Sequence, residues 1–410
     1  MKFRDSRLGK ALRAAFYPAL EPAAAKRFEA LTREAQNARR AGNFARAEEI
    51  YVRAMAEARA SDDPSHVGYI RHGLAEAYRE QGKYPEAELV LREHLEASLK
   101  SPQPNTQVHA AHMGLARLYQ EQGKLAAVEE HYRAALAETE KPGVWPDGEL
   151  YCSTALWLAR FYVEHQRYAD AEPLFVRVVE IREADRPSVP HYLRELAKVY
   201  EAQHKYAPAE EAYRRALNIA EELDQSKDFV IVRALDDLAV FCQARRRYRE
   251  AEELFRRRLA VVEEKIRRHT EPDTRKLERR PNDKNLEARI KHAQVPISEA
   301  LDRLAAVYEA QEKYLESEPL RRRSLEIKQE AWGENSWTWL DSLAAHANAL
   351  HKIGREDEAL KLDERVQAIR AKYPEGSVRS RLHFSSRPLK KTLRGRLRIF
   401  MNALRHPSPH

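Results

Sequence analysis

Cysteine, glycine and long apolar runs are all scarce in this chain of 410 residues. Its two cysteines, Cys152 and Cys242, are ninety residues apart. That is too few for a disulfide framework, and the spacing suits no zinc site, so they read as buried free thiols of a reducing cytoplasm. Thirteen glycines form no phosphate-cradling loop, and GxSxG, HExxH and CxxC patterns are missing. Catalysis needs nucleophile, base and orienter to converge, and nothing here marks such convergence. No enzyme activity, cofactor or metal is therefore expected. The histidines are scattered, and the closest pairs, His109 with His112 and His346 with His351, lack a third ligand at useful spacing. No apolar stretch approaches the roughly 20 residues that cross a bilayer. Lys10 and Arg13 interrupt the N-terminal LGKALRAAFYPAL, which excludes a secretory signal.

What the chain has instead is one phrase repeated: GNFARAEEIYVRA from 42, GKYPEAELVLRE from 82, QRYADAEPLFVRV from 166, HKYAPAEEAYRRA from 204 and RRYREAEELFRRR from 246. Eight copies align on a small residue after a turn: Ala47, Ala87, Val128, Ala171, Ala209, Ala251, Ser317 and Ala359, at intervals of 40, 41, 43, 38, 42, 66 and 42 residues. Phe44, Tyr84, Leu125, Tyr168, Tyr206, Tyr248 and Tyr314 stand three residues before the marker, and only the last copy breaks that column, with Glu356. Four residues after the marker come Tyr51, Leu91, Tyr132, Phe175, Tyr213 and Phe255.

Upstream of the turns, GLAEAYREQGK, GLARLYQEQGK, WLARFYVEHQR, ELAKVYEAQHK and RLAAVYEAQEK repeat a Leu-Ala-Tyr pattern that occupies one helix face. Each unit therefore reads as helix A, tight turn, helix B. Neither helix can bury its stripe alone, so stability must come from stacking copy on copy. Carboxylate pairs such as Glu48 with Glu49 and Glu252 with Glu253 recur with the unit, which marks them as solvated faces.

These columns resemble tetratricopeptide repeats, and the unit of about 42 residues resembles the kinesin-light-chain type. AEPLFVRVVEIRE (171–183) and SEPLRRRSLEIKQEAWGENS (317–336) are similar to that type's helix B and following loop. The resemblance implies an all-α, right-handed superhelical solenoid of about eight helix-turn-helix tetratricopeptide repeats over residues 28–376, acting as an interaction scaffold. Two departures limit it. Residues 1–27 are too short for the heptad coiled coil of the light chains. Where those proteins place a peptide-clamping Asn, this chain has Gly73, Gly114, Trp157, Glu195, Asp237 and Arg303. Neither a motor-subunit role nor a copied clamp is expected.

In such arrays the A helices line the concave face, so the residue after each Leu-Ala pair should look into the groove. That column reads Glu76, Arg117, Arg160, Lys198, Val240, Ala306 and Asn348. Three successive cations, with Trp157, His191 and Arg194 beside them, suggest an extended partner protein or peptide segment with acidic side chains, Trp157 being its apolar anchor. The alternative is routine pairing of these cations with Glu121, Glu164 and Glu201 on their own helices.

The net charge of +8 belongs to the chain ends: residues 377–410 carry +9, residues 1–20 carry +4, and the rest carries −5. In the C-terminal segment Leu389, Leu393, Leu397, Phe400 and Leu404 mark one helix face, with Lys390, Lys391, Arg394 and Arg398 on others. That basic amphipathic tail could cap the last repeat, or fix the protein to an anionic membrane or acidic protein as a peripheral adaptor. Nucleic acid is not expected, because stacking aromatics are few there. The 66-residue interval points to an insertion near 267–295, rich in charge and interrupted by Pro272 and Pro281, read as a solvated loop or short mobile helix. Trp332, Trp337 and Trp339 read as packing between the last two repeats.

Overall fold

The computed structural model describes residues 22–60, 64–100, 106–141, 148–223, 228–279, 283–334 and 336–372. The basic N-terminal residues to 21 and the tail, with Lys390, Lys391, Arg394 and Arg398, lie outside the described residues. The described chain is all-α. Eight A/B pairs follow one another: α1 (Pro22–Arg40) with α2 (Phe44–Ala60), α3 (Pro64–Glu80) with α4 (Tyr84–Leu99), α5 (Thr106–Glu121) with α6 (Leu125–Thr139), and α7 (Glu149–Glu164) with α8 (Tyr168–Arg182). Then come α9 (Val189–Ala202) with α10 (Tyr206–Glu222), α11 (Asp228–Ala244) with α12 (Tyr248–Arg279), α14 (Val295–Ala310) with α15 (Tyr314–Trp332), and α16 (Trp337–Lys352) with α17 (Glu356–Lys372). The inserted segment is helical: α12 runs on past Pro272 to Arg279, and α13 (Lys284–Ala293) follows, capped by the Asp283 carboxylate on the Leu286 amide. Two compact units divide at Ala209 and Glu210, inside α10.

Every B helix begins at the aromatic, Leu or Glu column read from the sequence, because one turn geometry recurs before it. The penultimate turn residue is left-handed in all eight copies: Gly42, Gly82, Gly123 and Gly354 in four, Gln166, His204, Arg246 and Glu312 in the others. In the second copy the Lys83 amide donates to the Tyr78 carbonyl at 2.9 Å and the Gly82 amide to Arg79 at 2.9 Å. This is the Schellman closure that satisfies a helix's last carbonyls. The other turns repeat it, for example Arg167 to Tyr162 at 2.8 Å and Arg355 to Leu350 at 3.0 Å.

The marker column forms the seam between the helices of each pair. All eight residues, from Ala47 to Ala359, are fully buried. Their small size lets helix A approach, and Tyr51, Leu91, Tyr132, Phe175, Tyr213 and Phe255 fill the space one turn on. Gly73 and Gly114 serve the same close packing: a Cβ at Gly73 would fall 2.5 Å from the buried Tyr51 ring, and one at Gly114 2.6 Å from Leu91. An asparagine has no room at those two positions. The seventh copy departs from the pattern. Arg321 takes the aromatic position, paired with Glu309 at 2.8 Å and Asp302 at 3.2 Å. Buried Lys328 joins Asp302 and donates to Ser342 at 2.6 Å. Trp339 is fully buried against Leu340, Leu343 and Val366, as inter-repeat packing requires, whereas Trp332 is partly exposed.

Successive repeats are locked by a ladder of ion pairs that the sequence reading missed. The Glu that follows the marker reaches the basic residue heading the next B helix: Glu48 to Lys83 (2.7 Å), Glu88 to Lys124 (4.0 Å), Glu129 to Arg167, and Glu172 to Lys205 (2.6 Å). Glu210 to Arg247 (2.7 Å), Glu252 to Lys313 (3.9 Å) and Glu318 to Arg355 (3.5 Å) continue it. Helix-A tyrosines complete several rungs. Tyr119, Tyr162 and Tyr308 donate to Glu88, Glu129 and Glu252 at 2.9, 3.1 and 3.1 Å. Their rings lie under Lys124, Arg167 and Lys313. The recurrence of Glu48 and Glu252 therefore marks a half-buried lock, and only their neighbours Glu49 and Glu253 are solvated.

Candidate functional site

The A helices of the first unit position the residues singled out above. Arg117 on α5 and Arg160 on α7 hold the same place, after Leu115-Ala116 and Leu158-Ala159, whose side chains are buried. That burial turns the next residue outward. The Arg117 guanidinium lies 5.0 Å from the centre of the Trp157 ring, so successive A helices bring a cation over an indole. Arg160 stands one turn beyond Trp157, exposed, and makes no ion pair among the described residues. Arg117 and Arg160 do not pair with Glu121 and Glu164 of their own helices, whereas Lys198 does pair with an acid of its own helix, Glu195. Glu121 is engaged by Arg79 of the preceding A helix, and Lys198 lies 3.4 Å from Glu195.

The other three candidates form a separate group on α9. Arg194 is buried and pairs with Glu195 at 2.8 Å, while exposed His191 meets Arg194 through Nδ1 at 3.1 Å. Glu195 thus serves both Arg194 and Lys198. Burial pushes its carboxyl up, but the Arg194 hydrogen bond and the Lys198 charge hold it below the usual range. At the other end of the column Glu76 is buried and paired with Arg79 at 2.8 Å. Burial raises its pKa, but the charge and hydrogen bond of Arg79 outweigh this and leave it at about 2. The cations at both flanks are committed to fixed acids. Arg117 and Arg160, between them, are not.

Behind this surface the fold gathers histidines that look scattered in sequence, because they come from four helices, α3 to α6. His109 on α5 meets the Thr154 hydroxyl on α7 at 2.7 Å, and His112 meets His131 on α6, Nδ1 to Nδ1, at 3.0 Å. His94 on α4 meets Gln107 at 3.1 Å, and its Nδ1 is buried without a partner, as is Nδ1 of His72 on α3. Burial, the largest influence, holds His94, His109 and His112 down to about 4. His72 and His131 are lowered for the same reason. All are therefore neutral at pH 7. Among the described residues no three His, Cys, Asp or Glu side chains are placed to hold a metal, and no helix is long and apolar enough to cross a membrane. Cys152 and Cys242 are buried and unpaired. A surface cavity of about 540 Å³ lies at a ladder turn, lined by Glu172, Pro173, Gln203 and Lys205.

Profiles of the tetratricopeptide repeat match residues 27–100 and 151–222, and a second profile of the same repeat matches 234–268. These stretches of the chain are tetratricopeptide repeats. No curated protein sequence matches it. Among solved structures, the apo form of RapI is similar over 83% of this chain and 87% of its own, at 14% identity and a TM-score of 0.50, which shows the shared fold. BtubC (BKLC) from P. vanneervenii is 19% identical over 59% of this chain and 91% of its own, with a TM-score of 0.42. Kinesin light chain nearly identical TPR-like repeats of Podosopora anserina are 24% identical over 48% of this chain and 95% of theirs, with a TM-score of 0.39. The tetratricopeptide repeats of this chain carry its polar locks at the turns and its uncommitted cations on helices A.

Proposed function

We propose that the protein is a non-catalytic interaction scaffold that holds a partner segment bearing acidic side chains on the A-helix face of its first unit. One observation carries this reading: Arg117, held over the Trp157 ring, and Arg160 beside it have no ion-pair partner among the described residues, although ion pairs are abundant elsewhere. A guanidinium fixed by stacking has already lost much of its rotamer freedom, so it binds a planar carboxylate at lower entropic cost. His191, Arg194 and Lys198 extend the positive edge, weakened by Glu195. A random peptide library selected on the purified protein is expected to become enriched in Asp and Glu. Selected peptides are expected to lose at least tenfold in affinity against Arg117→Glu/Arg160→Glu. Unchanged affinity of that variant overturns the reading.

A second reading makes the protein a peripheral adaptor fixed to an anionic membrane or acidic protein through its basic ends. It is supported at α17, where Leu360 is the one exposed large apolar side chain among the described residues, so that helix offers no wide oily stripe for a tail to cap. Deleting residues 377–410 is expected to abolish association with phosphatidylserine vesicles and leave the helical signal intact. Aggregation of the shortened chain would show a cap instead.

A further inference from the structure

The second unit concentrates positive charge at one turn. The sixth copy reads ARRRYRE from 244, with four arginines in five residues. Among the eight copies it alone places Arg or Lys at the left-handed turn position, Arg246, and again two residues before the marker, Arg249. Elsewhere the first place holds Gly, Gln, His or Glu, and the second Ala, Pro, Leu or Asp. The two acids of this turn, Glu210 and Glu250, are already divided between Arg247 and Arg214. Arg247 lies 2.7 Å from Glu210 and 3.0 Å from Glu250, and Arg214 lies 2.9 Å from Glu250 and also pairs with Glu210. Arg246 and Arg249 are exposed and make no ion pair among the described residues.

Both border a surface cavity of about 500 Å³, together with Arg247, Glu250 and Gln311 of the following turn. The cavity beside Lys205 shows the balanced counterpart. Its charged residues are Glu172, Arg177, Glu180 and Lys205, two of each sign, and they pair as Glu172 with Lys205 (2.6 Å) and Arg177 with Glu180 (2.9 Å). Three arginines against one glutamate leave the sixth-turn cavity at +2. Gln311 adds a donor. Its counterparts Gln81 and Gln203 donate to the ladder carboxylates Glu48 and Glu172 at 2.8 and 2.7 Å, whereas Gln311 donates, among the described residues, only to Val307 of its own helix at 3.3 Å. Two uncommitted guanidinium forks, a carboxamide and a surplus of two positive charges match a phosphate monoester, which carries about −1.5 to −2 charge at pH 7 and three acceptor oxygens. One carboxylate would neutralise only half of that surplus. The patch is also one turn wide. Glu312 stands in the place of Arg246 at the next turn and would repel a broad anionic surface, which argues against a lipid bilayer.

We propose that the sixth turn binds a phosphorylated side chain of a partner protein, with Arg246 and Arg249 gripping the phosphate and the Gln311 amide donating to it. The site is independent of the A-helix reading: it lies in the second unit, on turn residues, and it calls for phosphate instead of carboxylate.

The test presents the immobilised full chain with two degenerate peptide libraries, one with phosphoserine fixed at the centre and the other with serine. The phosphoserine library is expected to be retained about tenfold better. That excess is expected to disappear in Arg246→Gln/Arg249→Gln, whose thermal midpoint should match the parent because neither side chain holds an ion pair. Arg246→Gly is expected to weaken retention severalfold while melting no earlier than the parent, which separates loss of the grip from loss of the fold. Equal retention of the two libraries, or a phosphoserine preference that survives the double variant, overturns the proposal. Tighter binding to phosphatidylinositol-bisphosphate vesicles than to selected phosphopeptides, lost in the double variant, would make the ligand a lipid headgroup. Displacement of those peptides by equimolar inorganic phosphate would make it the free ion, and either result overturns the partner protein.

Discussion

At each turn one residue adopts a left-handed conformation, and in four copies that residue has a side chain. For an L-residue this conformation costs about 1 kcal/mol relative to glycine. Arg246 and Glu312, at φ of 59° and 60°, are exposed and hold no structural partner that glycine would remove. Arg246→Gly and Glu312→Gly are expected to stabilise the second unit by about 0.5–1 kcal/mol each. The reverse change, Gly123→Ala at φ 69°, is expected to destabilise the first by a similar amount; urea unfolding checks both. The buried histidines make a prediction about pH. Their folded pKa values lie below the ordinary 6.5, so the unfolded chain binds more protons, and stability is complete above pH 6.5 and lost as pH falls towards 4. For His94 alone the shift to about 4 corresponds to about 3 kcal/mol across that window. Hydrogen exchange is expected to show α3–α6 opening on acidification before α14–α17, and His94→Gln to blunt the effect.

At the scale of helices, two polar devices take over where apolar columns stop. Glu129 and Arg167 form a partly exposed rung with Tyr162, and a double-mutant cycle on Glu129→Gln and Arg167→Gln is expected to give a coupling of about 1 kcal/mol. The network around Asp302 is buried more deeply. Asp302→Ala strands Lys328, while Arg321 keeps Glu309, and is expected to cost about 3 kcal/mol, whereas Lys328→Met should be close to neutral, since removing a buried charge together with its need for a partner relieves desolvation. Calorimetry on the two variants separates these outcomes. The paired helices, the fully buried markers and the turn positions were all legible in the sequence, because small and aromatic residues repeat at fixed offsets and only one packing satisfies every copy. The ladder was not. Its partners stand 33–38 residues apart in six of the seven rungs, so nothing local links Glu172 to Lys205 or Glu129 to Arg167. A cation column at Lys83, Lys124, Arg167, Lys205, Arg247, Lys313 and Arg355 was nonetheless there to be seen.

For the whole molecule, the candidate site was legible in part. The column after each Leu-Ala pair named Arg117, half-buried, and Arg160, exposed, because burial of the pair fixes the direction of the next side chain. It could not show that Lys198 shares Glu195 or that Arg79 takes Glu121, since those choices depend on which rotamer reaches a neighbouring helix. Repeat proteins gain stability from nearest neighbours. A chain shortened to residues 1–223 is therefore expected to keep its helical signal and cooperative melting, as circular dichroism would show.

The rungs run from Glu48 to Arg355, and the two positions that would extend them are Asn43, in the cation column, and Leu360, in the carboxylate column. Excising or doubling a stretch cut at equivalent points of two copies would carry one acid and one base together and leave no widowed charge. A cut made elsewhere would strand one half of a couple inside a half-dry seam. The lock thus sets the grain along which this gene can lengthen or shorten by recombination and still yield a folded product.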